Sequence, residues 1–192
     1  MLAIVLSRKN IKEFDQMVSL YTREQGKVEV LAKGIKKITS KNSSNLEVLS
    51  LAEIEIAKGK ELDHLTKVQS VKIFKEIYLD LDKIFIARYA AKLADENILT
   101  QERDENIFNL LLSFLEFLNT TEKINSLNLA AGFIFKLWHC LGFSSQEEKH
   151  EVLIQGDWPM VNGLEQQNIY EFSLQHAQNH SGQKLARFAV LC

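Results

Sequence analysis

Gly26–Lys41 reads GKVEVLAKGIKKITSK. Val28, Val30 and Ala32 alternate with Lys27, Glu29 and Leu31, the period of a strand with one buried face. The strand breaks at Lys33-Gly34, and Lys36, Lys37 and Lys41 follow. Five lysines stand against one acid, Glu29, over the segment. A basic loop leaving a β-strand is suited to holding a phosphate backbone, because clustered ammonium groups release condensed counterions when they neutralise phosphates.

Working outward, the period of two persists from the start of the chain to about residue 75. Strands are expected over Leu2–Ser7, Gln16–Thr22, Lys27–Ala32, Leu46–Ala57 and Leu65–Val71. Turns fall at Gly26, at Gly34, in the polar run Lys41–Asn45 and at Lys58-Gly59-Lys60. Five short strands in so few residues point to a small closed barrel, since closure removes exposed edges. The count suits an oligonucleotide-binding barrel; an SH3-like barrel suits it almost as well.

Beyond residue 76 the period becomes helical. Leu79, Ile84, Ala87, Tyr89, Ala90, Ala91 and Ala94 mark one helix, with Asp80 or Asp82 as N-cap. Asp104–Leu118 carries an apolar stripe at three-four spacing. Asn125–Leu141 is apolar nearly all round and reads as the centre of a helical bundle, with Gly142 ending it. Glu165–Gln178 and Gly182–Val190 are expected as two short helices. The fold class is therefore α+β: a five-stranded barrel over residues 1–75, then an α-helical domain over 76–192.

Charge divides the same way. Residues 1–75 hold 14 Lys+Arg and 9 Asp+Glu; the remainder holds 9 and 16. A basic module joined to an acidic one is the pattern of a polyanion binder coupled to something else. The opening MLAIVL is too short for a signal-peptide core or a membrane span and reads as a first strand. Two cysteines, Cys140 and Cys192, fit a reducing, cytoplasmic setting and make no CxxC.

No catalytic constellation emerges. His176 and His180 share a helix face but lack a third ligand, so neither metal nor cofactor is expected. His139 and Cys140 are adjacent and point apart on a helix. Asp80 and Asp82 need no role beyond starting a helix. Neither a GxxxxGK[ST] nor a GxGxxG frame is present. A DNA-binding surface is expected from Arg8, Lys9, Lys33, Lys36, Lys37 and Lys41 acting together. Tyr21 and Arg23 join it if Tyr21 faces outward as a stacking platform; if Tyr21 faces inward it belongs to the core.

The residues in order resemble a known family. Ala3-Ile4-Val5-Leu6, Glu13-Phe14-Asp15, Leu20-Tyr21-Thr22-Arg23-Glu24-Gln25-Gly26-Lys27, Ala32-Lys33-Gly34-Ile35-Lys36-Lys37, Ser40-Lys41 and Leu46-Glu47 resemble the amino-terminal domain of the RecO recombination-mediator family. Tyr89–Leu99 and Leu137–Phe143, ending in Leu-Gly-Phe, are similar to its helical domain. The resemblance implies an oligonucleotide-binding barrel followed by helices in a bacterial, nucleoid-associated, non-enzymatic DNA repair protein. It implies binding of single- and double-stranded DNA, annealing of complementary strands, and loading of RecA with RecR on strands coated by single-stranded-DNA-binding protein. Many members carry a four-cysteine zinc motif after the Leu-Gly-Phe position; no cysteine lies between Cys140 and Cys192 here. The resemblance also implies capture of the acidic, apolar C-terminal tail of single-stranded-DNA-binding protein by the helical domain. Phe133, Leu137 and Leu141 are expected to line that groove, with Arg88, Lys92 or Lys136 as the cation at its rim. The alternative from another class is a protein-interaction adaptor built on a small β-barrel.

Overall fold

The computed structural model describes residues 1–35, 45–143, 150–165 and 168–181. Five strands, β1 (Leu2–Asn10), β2 (Gln16–Thr22), β3 (Gly26–Ala32), β4 (Leu51–Ala57) and β5 (Asp63–Lys72), close into a barrel in the order β1-β2-β3-β5-β4. All neighbours are antiparallel except β3 and β5, which meet in parallel at Val30–Asp63 and Leu31–His64. That connectivity is the oligonucleotide-binding type, which decides between the two barrels the strand count allowed.

Alternation explains the barrel's interior. Ala3, Val5, Val18, Leu20, Val28, Val30, Ala32, Ala52, Ile54 and Val68 point inward and form one buried cluster, joined by Ile35 and Leu46. The β2–β3 register runs without interruption from Gln16–Ala32 to Thr22–Gly26, so inward Val18 meets inward Val30 and inward Leu20 meets inward Val28. The β1–β2 register shifts between Val5 and Ser7, a bulge of the kind that bends strands round a barrel. The fourth strand begins later than its apolar pattern: Leu46 and Leu49 are buried, but Leu49 has φ +69 and the Ser50 N–H bonds the Glu47 carbonyl at 3.1 Å. A turn, not a strand, carries those two side chains into the core.

The helices are α1 (Lys75–Tyr78), α2 (Leu81–Asn97), α3 (Glu105–Thr120), α4 (Ser126–Cys140), α5 (Glu151–Gln155), α6 (Trp158–Asn162) and α7 (Ile169–Ser181). Asp80 starts α2, its Oδ1 accepting from the Lys83 N–H at 3.1 Å. Asn125 caps α4 by accepting from Asn128 N–H. At the other end Gly142 takes φ +88, its N–H bonding the His139 carbonyl while the Phe143 N–H bonds that of Trp138. This pair of bonds is a Schellman ending. Pro159 sits in the first turn of α6 behind an Asp157 cap, a position where its missing N–H costs nothing. The helix expected over Glu165–Gln178 starts only at Ile169, after Asn168 with φ +62; that expected over Gly182–Val190 lies outside the described residues.

The chain forms two compact units. One contains Met1–Phe74 with Ala94–Leu112, and the other Lys75–Leu93 with Ser113–Cys192. In the second unit α4 is central: Leu129–Phe135, Leu137 and Trp138 are buried, and α5, α6 and α7 pack on it. Phe114 packs against Phe133 and Trp158, with ring centroids 5.1 and 4.6 Å away. Gly132 lets α6 approach, since a Cβ there would lie 2.5 Å from Val161 Cγ1. Gly132→Ala is therefore expected to destabilise by about 1–2 kcal/mol, overpacking outweighing the gain in helix propensity. Trimming Val161 to alanine in the same chain should recover part of that loss, giving a double-mutant coupling of about 1 kcal/mol in urea unfolding. Strict additivity would show that the close approach carries no energy.

Candidate nucleic-acid interface

Oligonucleotide-binding barrels meet their ligands on the outer face of strands 2 and 3 and on the loops between strands 1 and 2 and between strands 4 and 5. Here the first of these is covered. Ser19, Tyr21 and Lys27 lie on the outer side of β2 and β3, and all three are buried by the stretch 94–112. The Tyr21 hydroxyl donates to the Asp104 carbonyl (3.0 Å), has the Glu102 carbonyl at 3.3 Å, and accepts from the Asp104 N–H (3.1 Å). Asp95 gathers the rest. Its carboxylate accepts from Ser19 Oγ (2.5 Å) and Ser7 Oγ (2.8 Å) and pairs with Lys27 Nζ at 3.4 Å. Lys27 Nζ also donates to the carbonyls of Asp95 and Ile98.

Tyr21 fits neither of the two alternatives weighed from its strand pattern: it faces outward from the barrel but is fully buried under residues 94–112, and it offers no face to a base. Lys27, one of the five lysines of the basic segment, is an internal cation. Arg23 is half-buried with its guanidinium 4.6 Å over the Phe108 ring. Arg8 bonds Gln16 Oε1 through Nε (2.9 Å) and the Leu46 carbonyl through a terminal nitrogen (2.7 Å), bracing the base of the β1–β2 loop.

The β1–β2 loop, residues 11–15, is another of these ligand surfaces, and it is open. Its backbone closes on itself, with the Ile11 and Lys12 N–H groups both on the Asp15 carbonyl (3.1 and 3.4 Å). The Asp15 carboxylate accepts from the Gly34 N–H at 2.7 Å, tying the loop to the turn that leaves β3. Gly34 has φ +63, in the left-handed region glycine adopts freely. Between loop and turn lies a groove of about 380 Å³ lined by Lys12, Glu13, Phe14, Asp15, Lys33 and Gly34. Lys9, Lys12 and Lys33 are exposed, and Phe14 keeps 41% of its surface in solvent. Of the lysines expected to act together, Lys36, Lys37 and Lys41 lie outside the described residues. Lys12 and Phe14, which also line the groove, were not among the site residues expected from sequence; Phe14 is the one aromatic residue of the loop.

In the helical unit, Phe133 and Leu137 are wholly buried and Leu141 half-buried. Lys136 Nζ donates to the carbonyls of Ile154 (2.7 Å) and Gly156 (2.6 Å) at the end of α5 and lies 5.3 Å from the Trp158 ring centroid. Burial holds its ammonium below the usual lysine range. Arg88 and Lys92 are exposed on α2. They continue a face begun by Leu81 and Phe85, which are 72% and 40% exposed. The four recur at the i, i+4, i+7, i+11 spacing of one helix face.

The two cysteines of this sequence cannot supply a four-thiolate zinc site, and no group of three His, Cys, Asp or Glu among the described residues could hold a metal. No helix among the described residues is long and apolar enough to cross a membrane.

Comparison with known proteins gives two matches along the chain. Residues 1–74 match the family model described as Recombination protein O N terminal, and residues 78–150 that of Recombination protein O C terminal. The DNA repair protein RecO of Desulforamulus reducens is 31% identical over 142 residues, which cover 74% of this chain and 53% of that protein. Its counterpart in Symbiobacterium thermophilum is 31% identical over 140 residues, 73% of this chain and 55% of its own. That of Dehalococcoides mccartyi is 35% identical over 117 residues, covering 61% and 46%. The chain spans about half the length of the curated relatives it matches.

Proposed function

The chain belongs to the recombination protein O family, and from that premise we propose that it acts in DNA repair by binding DNA at the β1–β2 loop end of its barrel, with no chemistry of its own. The observation that carries this is the exposed groove between Lys12 and Lys33, the strand 2–3 face of this barrel being already covered. Lys36, Lys37 and Lys41 follow Lys33 in sequence and add to the positive charge of that segment. With about four phosphates neutralised, the log–log salt slope for single strands is expected near −3, each contact contributing about −0.7. Replacing Lys12 and Lys33 together by alanine should flatten the slope by about 1.4 and weaken all sequences alike. Anisotropy titrations of a labelled oligonucleotide over a range of salt test this; an unchanged slope in the double variant would place the phosphates elsewhere.

Mediation needs a second surface for protein. Annealing, and loading of RecA with RecR on strands coated by single-stranded-DNA-binding protein, are the activities proposed for the chain as a RecO member. For the acidic, apolar tail of single-stranded-DNA-binding protein, the surface with suitable chemistry is the α2 face. Leu81 and Phe85 offer apolar contact, and Arg88 and Lys92 offer cations to carboxylates one to two turns on. This moves the tail site from Phe133, Leu137 and Lys136, whose side chains are engaged within the helical unit.

A further inference from the structure

We propose that Asn162-Gly163 is a site of hydrolytic self-modification, where the Asn162 amide is lost to leave aspartate or isoaspartate, and that a clamp between α4 and α6 holds the reaction shut. Asn162-Gly163 is the only Asn-Gly step in the sequence. The pairing matters because the reaction is an attack by the backbone on its own side chain. The Gly163 nitrogen loses its proton and bonds Asn162 Cγ, and the Cγ–Nδ2 bond breaks with release of ammonia. Water then opens the resulting cyclic imide at either carbonyl. Opening at one restores an ordinary peptide bond and leaves aspartate; opening at the other leaves the chain running through the side chain as isoaspartate. Water enters and ammonia leaves, with no oxidant, reductant or cofactor. Glycine makes the step easy, since no Cβ crowds the attacking nitrogen and the backbone turns freely toward the amide.

Asn162 is the last residue of α6 and the hub of its junction with the start of α4. Its Oδ1 accepts from the Asn125 N–H (2.6 Å), its Nδ2 donates to the Lys123 carbonyl (3.1 Å), and its own carbonyl accepts from Asn128 Nδ2 (3.3 Å). Asn128 Nδ2 also donates to the Leu164 carbonyl at 2.7 Å, so the residues on both sides of Gly163 are tied to α4. The Gly163 N–H in turn donates to the Pro159 carbonyl at 3.1 Å. Attack requires that bond broken, the helical backbone at Asn162 swung open, and the amide turned away from Lys123 and Asn125. The folded chain therefore reacts only while the end of α6 is open. Reclosing does not undo the change. Aspartate keeps an acceptor for Asn125 but sets a carboxylate oxygen against the Lys123 carbonyl, two acceptors with no proton between them. Isoaspartate also adds a carbon to the backbone where α6 meets α4. The site turns a transient opening of the helical unit into a lasting loosening of α6.

The test incubates the full chain, folded and in urea, in mildly alkaline buffer. Peptide mapping follows the segment around Asn162, and labelling by an isoaspartyl methyltransferase tells isoaspartate from aspartate. In urea Asn162 is expected to convert ahead of every other asparagine. The folded chain should convert at least about tenfold more slowly, the ratio being set by local opening of α6. Gly163→Ala should suppress the reaction in both conditions. Its methyl has room in the fold, since a Cβ there would lie 3.5 Å from the Pro159 carbonyl oxygen and 3.8 Å from that of Met160. Asn162→Asp stands in for the product, and in it hydrogen exchange at the Gly163 and Leu164 N–H groups should speed up about tenfold. Faster conversion of another asparagine in urea, or the wild-type rate in Gly163→Ala, would overturn the site. Equal rates folded and in urea would overturn the clamp, and unchanged exchange in Asn162→Asp would overturn the loosening.

Discussion

Asp95→Ala should cost the fold about 2–3 kcal/mol. The carboxylate is the shared partner of Ser7, Ser19 and Lys27. Removing it leaves a buried ammonium with only carbonyl partners and strands the buried Ser19 hydroxyl. Breaking one side of a fully buried pair costs about 3–5 kcal/mol; the value expected here is lower because the Asp95 side chain is 23% exposed and solvent compensates part of the loss. Asp95→Asn keeps an acceptor for a serine but no charge for Lys27, and should lie between. Urea unfolding of the full chain measures the total. Hydrogen exchange locates it: the Gln101 N–H, which bonds the Lys27 carbonyl at 2.7 Å, should lose protection first. A loss below about 0.5 kcal/mol, within the range of an ordinary surface substitution, would mean that the cluster does not hold the 94–112 stretch to the barrel.

Gly26→Ala should be at least as damaging, for a backbone reason. Gly26 has φ +70, where an L side chain costs about 1–2 kcal/mol. Its α-carbon also faces the covering stretch so closely that a Cβ would stand 2.0 Å from the Glu102 carbonyl oxygen and 2.4 Å from its carbon. Backbone cannot swing aside as a side-chain tip can, so overpacking adds about 1–3 kcal/mol. Gly142 is the control: φ is +88, but nothing lies within 4 Å of the added methyl, and only the conformational cost of about 1 kcal/mol remains. Thermal melts of the two variants side by side should show Gly26→Ala two- to fourfold the more costly. Equal shifts would mean that the covering stretch yields freely to the methyl.

Much of the architecture was legible. Strict alternation gave five strands because the inward faces of a small barrel must be apolar on every second residue. The run Asn125–Leu141, apolar nearly all round, gave the buried centre of the helical unit for the same reason: Asn128–Phe135, Leu137 and Trp138 are buried. The ends of that helix were readable from Asn125 and Gly142, whose roles are local. Of the Lys33–Lys41 charge run, Lys33 lines the groove beside the β1–β2 loop.

What was not legible shares one cause. Tyr21 and Lys27 sit on the outer side of their strands, and alternation says only that they share a face, not what covers it. The cover comes from residues 94–112, far along the chain, so no window around the strand contains the information. Lys27 looks like any other lysine of a basic segment until Asp95, Ile98 and the serines surround it. Phe133 and Leu137 looked equally fit for a groove or a core, because apolarity by itself does not distinguish the two.

From sequence alone, then, came the five strands, the long helices, their order and the family, all of which depend on periodicity and on short strings of residues. The tertiary structure alone decided which cations and aromatics are desolvated. Lys27 and Tyr21 are taken out of water and Phe14 is left in it. Desolvation is set by a distant segment folding over a surface, and charge or apolarity read residue by residue carries no record of that.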